Sequence, residues 1–167
     1  MFLIQPCCTQ KGLLALRGKL GENGTTLFQG FGDLSLAELL PPLLTRYSGV
    51  EMMIVAPTLP DAATEVIASL MEKQYDEGKS WQIGHLTLVT DMRRKKSPLT
   101  SGWQIKNPFG ERLTLVNVQQ NDTAIILPDI ALVGNINLAY GGHFTALATK
   151  KPSLIEDLRK TYLGLKA

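Results

Sequence analysis

The feature that most constrains this fold is a continuous apolar strand followed by an amphipathic helix. The strand is "GVEMMIVAP" (residues 49–57), an apolar run that ends at Pro57. A strand without polar alternation is covered on both faces, as in sheets that carry helices on either side. Apolar residues then recur at helical spacing from 62 to 71, and Pro60 and Asp61 favour a helix start. The pair predicts a β-α unit and therefore an α/β fold.

The other apolar segments predict a mixed β-sheet flanked by helices. Short strand-like runs are "MFLIQ", "TTLFQG", "HLTLVT", "RLTLVNV" and "TAIILPDIALVG". The first two could pair with each other, and the last contains a tight turn near Pro128 and Asp129, so the sheet cannot be purely parallel. A final helix opens at Pro152. Its apolar face carries Leu154, Ile155, Leu158 and Tyr162, and its solvent face carries Glu156, Asp157, Arg159 and Lys160.

The length and composition indicate one domain over residues 1–167, with residues 1–30 forming an N-terminal strand and loop segment. The chain is 44% hydrophobic and 19% charged, which describes an ordinary globular protein. A net charge of +2 is too small to indicate polyanion binding by itself. Any nucleic-acid site must therefore come from a local cluster of cations.

Cysteine and histidine usage argues against a metal site or another cofactor. The two cysteines, Cys7 and Cys8, are adjacent, a spacing that suits neither a structural disulfide nor a zinc site with several ligands. The only histidines are His85 and His143. We expect no cofactor and a reducing compartment.

The N-terminal segment does not have the charge pattern of a signal peptide. Its cations, Lys11 and Arg17, fall after or inside the apolar stretches rather than before them. No apolar run is long enough to cross a bilayer, so we expect no transmembrane segment. A cytoplasmic protein is the simplest interpretation, and the alternative is a lipoprotein-like first segment containing Cys7 or Cys8.

The order of these segments resembles a single phospholipase D-like domain over residues 36–163. The most specific match is "IALVGNINLAYGG" (residues 130–142), which is similar to the family's Gly-Ser-x-Asn segment after its motif hairpin. Gly134 and Asn137 match that pattern, whereas Asn135 stands where Ser or Thr is usual. The resemblance implies a phospholipase D-like α/β fold.

The resemblance also implies phosphodiester chemistry. The family's motif is His-x-Lys with an Asp further along the hairpin. One histidine attacks phosphorus, the lysine neutralises phosphate charge, and a second histidine protonates the leaving oxygen. One-domain members supply the second histidine through a homodimer, so the resemblance implies a homodimer here.

This sequence departs from the motif in every register. Counting back from Gly134 by the usual spacing places neither His nor Lys at the catalytic positions. The three registers give Gln120, Asp122 and Leu127, or Asn121, Thr123 and Pro128, or Asp122, Ala124 and Asp129. These side chains cannot replace an imidazole nucleophile without help, and an acidic Asp122 in place of lysine would repel phosphate.

Three residues near the Gly-Gly turn have a functional and a structural interpretation. His143 could serve a divergent active site, although a single histidine beside a turn is more often structural. Asn135 and Asn137 could bind a ligand, or they could only hydrogen-bond the backbone of a tight corner. We predict no catalytic residue, with His143 as the alternative.

The strongest surface feature is a run of four cations directly after a predicted central strand. The basic loop consists of Arg93, Arg94, Lys95 and Lys96. At the carboxyl end of a strand, where open α/β sheets usually bind ligands, it could contact nucleic-acid phosphates. Trp103 and Phe109 could stack on bases. The alternative is a solvated charged loop with one or two buried aromatics.

Two hypotheses follow from these observations. The first is a catalytically inactive phospholipase D-like module that binds nucleic acid or a protein and forms a homodimer, which would cover Tyr140 and Phe144. The second is a divergent phosphodiesterase or nuclease that uses His143 with the basic loop. The missing His-x-Lys pair favours the first.

Overall fold

A computed structural model describes residues 5–7, 24–30, 43–44, 47–57, 61–72, 83–91, 107, 109–118, 122–135 and 144–164. These residues form an eight-stranded mixed sheet in the order β1-β2-β8-β7-β6-β3-β4-β5. The strands are β1 Gln5–Cys7, β2 Thr25–Gly30, β3 Val50–Ala56, β4 Ile83–Thr90, β5 Leu113–Asn117, β6 Thr123–Ile126, β7 Ala131–Asn135 and β8 Phe144–Thr149. Helix α1 spans Asp61–Met71, helix α2 spans Pro152–Gly164, and a 3-10 turn, Gly110–Arg112, precedes β5. The predicted α/β class and mixed sheet are confirmed.

Parallel and antiparallel pairs occupy different parts of the sheet. Strands β3, β4 and β5 are parallel, and β6, β7, β8 and β2 continue from β3 as an antiparallel series. Strand β1 is parallel to β2 at the far side. We call the edge where β3, β4, β5 and β7 end the upper edge, and the opposite one the lower edge.

The apolar run of β3 is explained by cover on both faces of the sheet. Met52, Ile54 and Ala56 belong to a core that includes Ile67 and Met71 of α1, on what we call the α1 face. The alternating Met53 and Val55 belong to a second core on the opposite α2 face, which includes Ile155 and Tyr162 of α2. A strand buried on both sides needs apolar residues at nearly every position.

Helix α2 has the predicted apolar face, but one residue of its polar face was assigned wrongly. Ile155 and Tyr162 are buried, whereas Glu156 and Lys160 are exposed. Arg159, predicted to face solvent, is half-buried, and its Nε is buried. The helical period places position 159 at the boundary of the apolar face, where a long side chain can lie along the sheet. Among the described residues, no helix has the length and apolar character needed to span a membrane.

The two N-terminal strands pair with each other, which the sequence had left as a possibility, and they extend the sheet beside β8. Strand β2 coincides with "TTLFQG", and its six residues pair antiparallel with β8. The hydroxyls of Thr25 and Thr149 are hydrogen-bonded at 2.8 Å, and the Lys150 amide donates to Gly24 O at 2.8 Å. Strand β1 pairs with β2, while residues 1–4 of the predicted first strand lie outside the described residues.

Strand β4 begins two residues earlier than the sequence pattern indicated. It starts at Ile83, so His85 lies within the strand rather than at its end. His85 Nε2 is 3.0 Å from Thr114 Oγ1 on the neighbouring β5. The glycine at position 84 hid this start, since glycine usually weakens a strand pattern.

One arginine connects three elements at the lower edge. Arg112 Nη2 donates to Met71 O at the end of α1 and to Ile83 O, both at 2.7 Å, and its Nε donates to Gly84 O at 3.0 Å. The last carbonyls of a helix have no partner within the helix, so this guanidinium satisfies one of them. Arg112 therefore fixes α1 against β4 and β5.

Gly84 allows the backbone to approach closely beside this arginine. A Cβ on Gly84 would lie 2.6 Å from Gly49 O and 2.8 Å from Gly49 C. Both neighbouring atoms are backbone atoms, which cannot move aside as a flexible side chain can. The close approach therefore requires glycine at this position.

Gly84→Ala is expected to lower the free energy of unfolding by about 2–3 kcal/mol, because the added methyl forces the two backbone segments apart. Urea unfolding followed by circular dichroism measures the change. Gly164→Ala is the matched control, since a Cβ there meets nothing within 4 Å and the effect should stay within about 0.5 kcal/mol. Equal unfolding midpoints for the two variants would contradict the close approach.

Candidate functional site at the upper edge of the sheet

The strand register brings the carboxyl ends of the central strands to the same level. Ala56 pairs with Thr90, and Thr90 pairs with Asn117. On the other side of β3, Thr123 at the start of β6 pairs with Gly134 near the end of β7. Ligands of open α/β sheets usually bind where such strand ends meet.

Backbone and hydroxyl hydrogen bonds hold these strand ends together. Thr90 Oγ1 donates to Pro57 O at 3.3 Å, and the amide of Asp91 donates to the same carbonyl at 3.3 Å. The Val118 amide donates to Thr90 O at 3.1 Å. The end of β4 is thus fixed to the chain leaving β3 and to the chain leaving β5.

Asp91 is a site residue that the sequence analysis missed. It is only 4% exposed, although it immediately precedes the basic loop. Buried carboxylates require hydrogen-bonding or charged partners, and Asp91 has further interactions beyond its backbone amide. Its position in the sequence could have identified it, because a carboxylate directly after an apolar strand lies at the edge where open α/β sheets bind ligands.

The structure locates only part of the predicted binding set. The basic loop, Arg93 to Lys96, begins two residues after the Asp91 position but lies outside the described residues, as do Asn137 and His143. The backbone of Asn135 ends β7 at the upper edge, where it pairs with Thr145. Among the described residues, β4 and β7 end at the upper edge and β8 begins there.

Phe109 lies at the lower edge, which favours the alternative interpretation, an aromatic that packs against the core, over base stacking. It precedes the 3-10 turn before β5, and β5 starts at the lower edge. Its side chain is half-buried against the core of the α1 face. Sequence proximity to the basic loop was misleading, because β4 ends at the upper edge just before the loop, whereas β5 starts at the lower edge just after Phe109. Trp103 lies outside the described residues.

Gly134 has a backbone conformation that other residues rarely adopt. Its φ is 155°, and it pairs with both Thr123 and Ala146. Glycine reaches this region without steric cost because it lacks a Cβ. A backbone requirement therefore accounts for the glycine at this corner of the sheet.

Asp122 connects the start of β6 to helix α2. The buried Tyr162 of α2 donates a hydrogen bond from its hydroxyl to the exposed carboxylate of Asp122. Burial raises the pKa of Tyr162 to about 12, and the negative charge and hydrogen bond of Asp122 act in the same direction. Asp122 therefore has a structural partner on α2.

The other acid of the hairpin, Asp129, lies at the opposite end. It sits in the turn between β6 and β7, where the Leu127 amide donates to Ile130 O at 2.9 Å. Its carboxylate accepts a hydrogen bond from the Tyr47 hydroxyl. Leu127 is fully buried. Leu127 therefore packs in the core, and Asp129 forms its hydrogen bond at the lower edge.

Tyr162→Phe is expected to lower stability by about 1 kcal/mol at neutral pH, because Asp122 loses its donor. The folded-state pKa of Tyr162 lies above the ordinary value of 10.0, so its contribution is fully present below pH 10 and is lost as the pH rises toward 12. The advantage of wild type over Tyr162→Phe should therefore shrink in this window. Urea unfolding of both proteins at increasing pH tests this, and a pH-independent difference would contradict the assigned hydrogen bond.

The fold is phospholipase D-like, as comparison with solved structures shows. The chain is similar to NucT from Helicobacter pylori, a phospholipase D-like nuclease, with a TM-score of 0.53, 15% identity, and coverage of 86% of this chain and 96% of that one. It is also similar to TrmBL2, an archaeal chromatin protein with a novel mode of DNA binding, with a TM-score of 0.52, 11% identity, and coverage of 93% and 57%. No protein-family model matches the sequence, and no curated protein matches it.

Proposed function

We propose that this protein is a phospholipase D-like module that binds nucleic acid at the upper edge of its sheet without cleaving it. The observation that carries the proposal concerns the motif hairpin, which in this chain consists of β6, β7 and the residues that lead into β6. Its sequence contains no His-x-Lys pair. Phosphoryl transfer to the protein requires a nucleophile with an activating partner. His85, one of the chain's two histidines, lies within β4 beside Thr114 rather than on this hairpin.

The environment of Asp122 argues against a catalytic role. By the usual spacing from Gly134, Asp122 occupies the position of the phosphate-binding lysine. A carboxylate there repels a phosphate, and this one accepts a hydrogen bond from Tyr162. Asp122 thus takes part in attaching α2 to the sheet.

Nucleic acid is the favoured partner because the basic loop follows β4 in the chain, and β4 ends at the edge where the strand ends meet. Four adjacent cations can neutralise several backbone phosphates and release their counterions on binding. Two proteins of similar fold are, respectively, a nuclease and a protein with a described mode of DNA binding. At 15% and 11% identity, these likenesses support the proposal through the fold alone.

Fluorescence anisotropy with labelled single-stranded and double-stranded DNA and RNA tests the proposal. We expect saturable binding that weakens as salt rises, with the probe intact on a denaturing gel afterwards. If none of the probes shows salt-sensitive binding, nucleic acid is excluded and a protein partner becomes the better hypothesis. If the probe is shortened by an activity that co-purifies with the protein and disappears in His143→Ala, the inactive module is excluded.

The second candidate function is a divergent phosphodiesterase that uses His143 with the basic loop. The observation in its favour is that His143 immediately precedes β8, whose first residue lies at the upper edge. Loss of probe cleavage in His143→Ala would support this candidate.

We further propose a homodimer. The resemblance implies that one-domain members assemble through the edge that carries the motif, and Tyr140 and Phe144 belong to the segment that follows β7. We expect sedimentation velocity at micromolar concentration to show a dimer. A single species of monomer mass would contradict it.

We also propose a cytoplasmic location, based on the order of charges and apolar residues near the N-terminus. Cell fractionation followed by immunoblotting should find the protein in the soluble fraction. Recovery with membranes after a high-salt wash would contradict this proposal.

A further inference from the structure

A pocket lies on the α2 face of the sheet, between helix α2 and strands β3 and β4. It has a volume of about 170 Å³. The residues that line it include Glu51, Met53, His85, Thr87, Arg159 and Leu163. None of these residues belongs to the upper-edge site.

The parallel register of β3 and β4 forms the floor of this pocket. Glu51 pairs with His85, and Met53 pairs with Thr87. Since side chains alternate along a strand, these four project from the same face. His85 Nε2 lies 3.0 Å from Thr114 Oγ1, so a hydrogen bond orients its ring.

Helix α2 provides the opposite wall and a cation. Arg159 and Leu163 are four residues apart, so they lie on the same side of the helix. Arg159 Nε is buried without a hydrogen-bond partner among the described residues. A guanidinium presents its N–H donors in a planar fork that matches the two oxygens of a carboxylate. A buried donor without a hydrogen-bond partner, such as Arg159 Nε, favours a ligand that supplies an acceptor.

The pocket is partly open to solvent, so its volume bounds the part of a ligand that it can enclose. Cavities of about 150 Å³ in other proteins hold a benzene molecule, so this pocket suits a compound of about six to nine non-hydrogen atoms. Glu51 contributes a negative charge opposite the positive charge of Arg159. A polyanion is therefore disfavoured, because the carboxylate would repel it.

We propose that this pocket binds a small zwitterion, a free α-amino acid with an apolar side chain. Its carboxylate contacts Arg159 and its ammonium contacts Glu51. Its side chain packs against Met53 and Leu163. The inference is independent of nucleic-acid binding, because it concerns a different surface and different residues.

Isothermal titration calorimetry with leucine, isocaproate and isoamylamine tests the two charge contacts separately. Isocaproate lacks the ammonium of leucine, and isoamylamine lacks its carboxylate. We expect leucine to bind at least about tenfold more tightly than either analogue, since one lost charged contact is worth this much. The proposal would be overturned if leucine showed no binding at concentrations up to about 10 mM, because even poor ligands bind with millimolar dissociation constants.

Two variants distinguish a specific site from general adsorption. Arg159→Gln should weaken leucine and isocaproate about tenfold and leave isoamylamine unchanged. Glu51→Gln should weaken leucine and isoamylamine and leave isocaproate unchanged. Lys160→Gln is the control, because this neighbouring side chain is 72% exposed and does not line the pocket. If Arg159→Gln or Glu51→Gln weakened the binding of all three ligands equally, the assignment of the contacts would be overturned.

Discussion

Purified protein incubated with bis(p-nitrophenyl) phosphate, phospholipid or DNA is expected to release no product above a buffer blank, with or without divalent metal. The reason is the missing nucleophile. Removing an essential nucleophile costs on the order of a millionfold in rate when no other group can replace it. The motif hairpin offers no histidine in any register, and Asp122 is hydrogen-bonded to Tyr162.

The detection limit decides the value of this result. A known nuclease added at about one-millionth of the protein concentration sets a limit that matches the expected loss. Turnover that co-purifies with the protein and disappears in His143→Ala would contradict the prediction. Turnover that persists in this variant would indicate a contaminant. Asn137→Ala should lower stability and leave no activity to lose.

Replacing Arg93, Arg94, Lys95 and Lys96 together by Ser is expected to reduce nucleic-acid affinity by at least about tenfold and to flatten its salt dependence. Each phosphate contact contributes about 0.9 to the slope of log affinity against log salt for duplex DNA. Loss of several contacts should therefore lower the slope by two to three, as an order of magnitude. Anisotropy titrations at several salt concentrations measure both quantities.

Two matched double variants distinguish an effect of the basic loop on affinity from an effect of the protein's net charge. Lys95→Ser with Lys96→Ser removes two charges from the loop, and Lys151→Ser with Lys160→Ser removes two elsewhere. Lys151 follows β8 at the lower edge, and Lys160 is exposed on α2. Equal losses of affinity in the two double variants would show that net charge, rather than the loop, governs binding.

The sequence was most informative where local pattern and tertiary environment agree. The apolar run of β3 predicts cover on two faces because no partly exposed strand tolerates so many apolar residues, and Met53 and Ile54 indeed lie in opposite cores. Strand β2 was predicted to the residue. Its two threonines and one phenylalanine are residue types that favour strands.

Pairing between distant segments could not be predicted from the sequence. Phe109 follows the basic loop in the chain, yet the path of β5 places it at the lower edge. The convergence of Glu51, His85 and Arg159 on one pocket depends on how α2 crosses the sheet, and no local pattern encodes that crossing. Asp91 could have been found, since its position at the end of an apolar strand was visible.

Strand β2 also has a consequence for aggregation and for the choice of fragments. All six of its residues pair with β8, so it covers a strand whose backbone donors and acceptors would otherwise be open on one side. Uncovered strands recruit strands from other molecules and promote intermolecular sheets. A fragment restricted to residues 36–163, the part that resembles the family, would leave β8 unprotected and prone to self-association. The segment that looks like an addition in sequence therefore protects the rest of the sheet from its own copies.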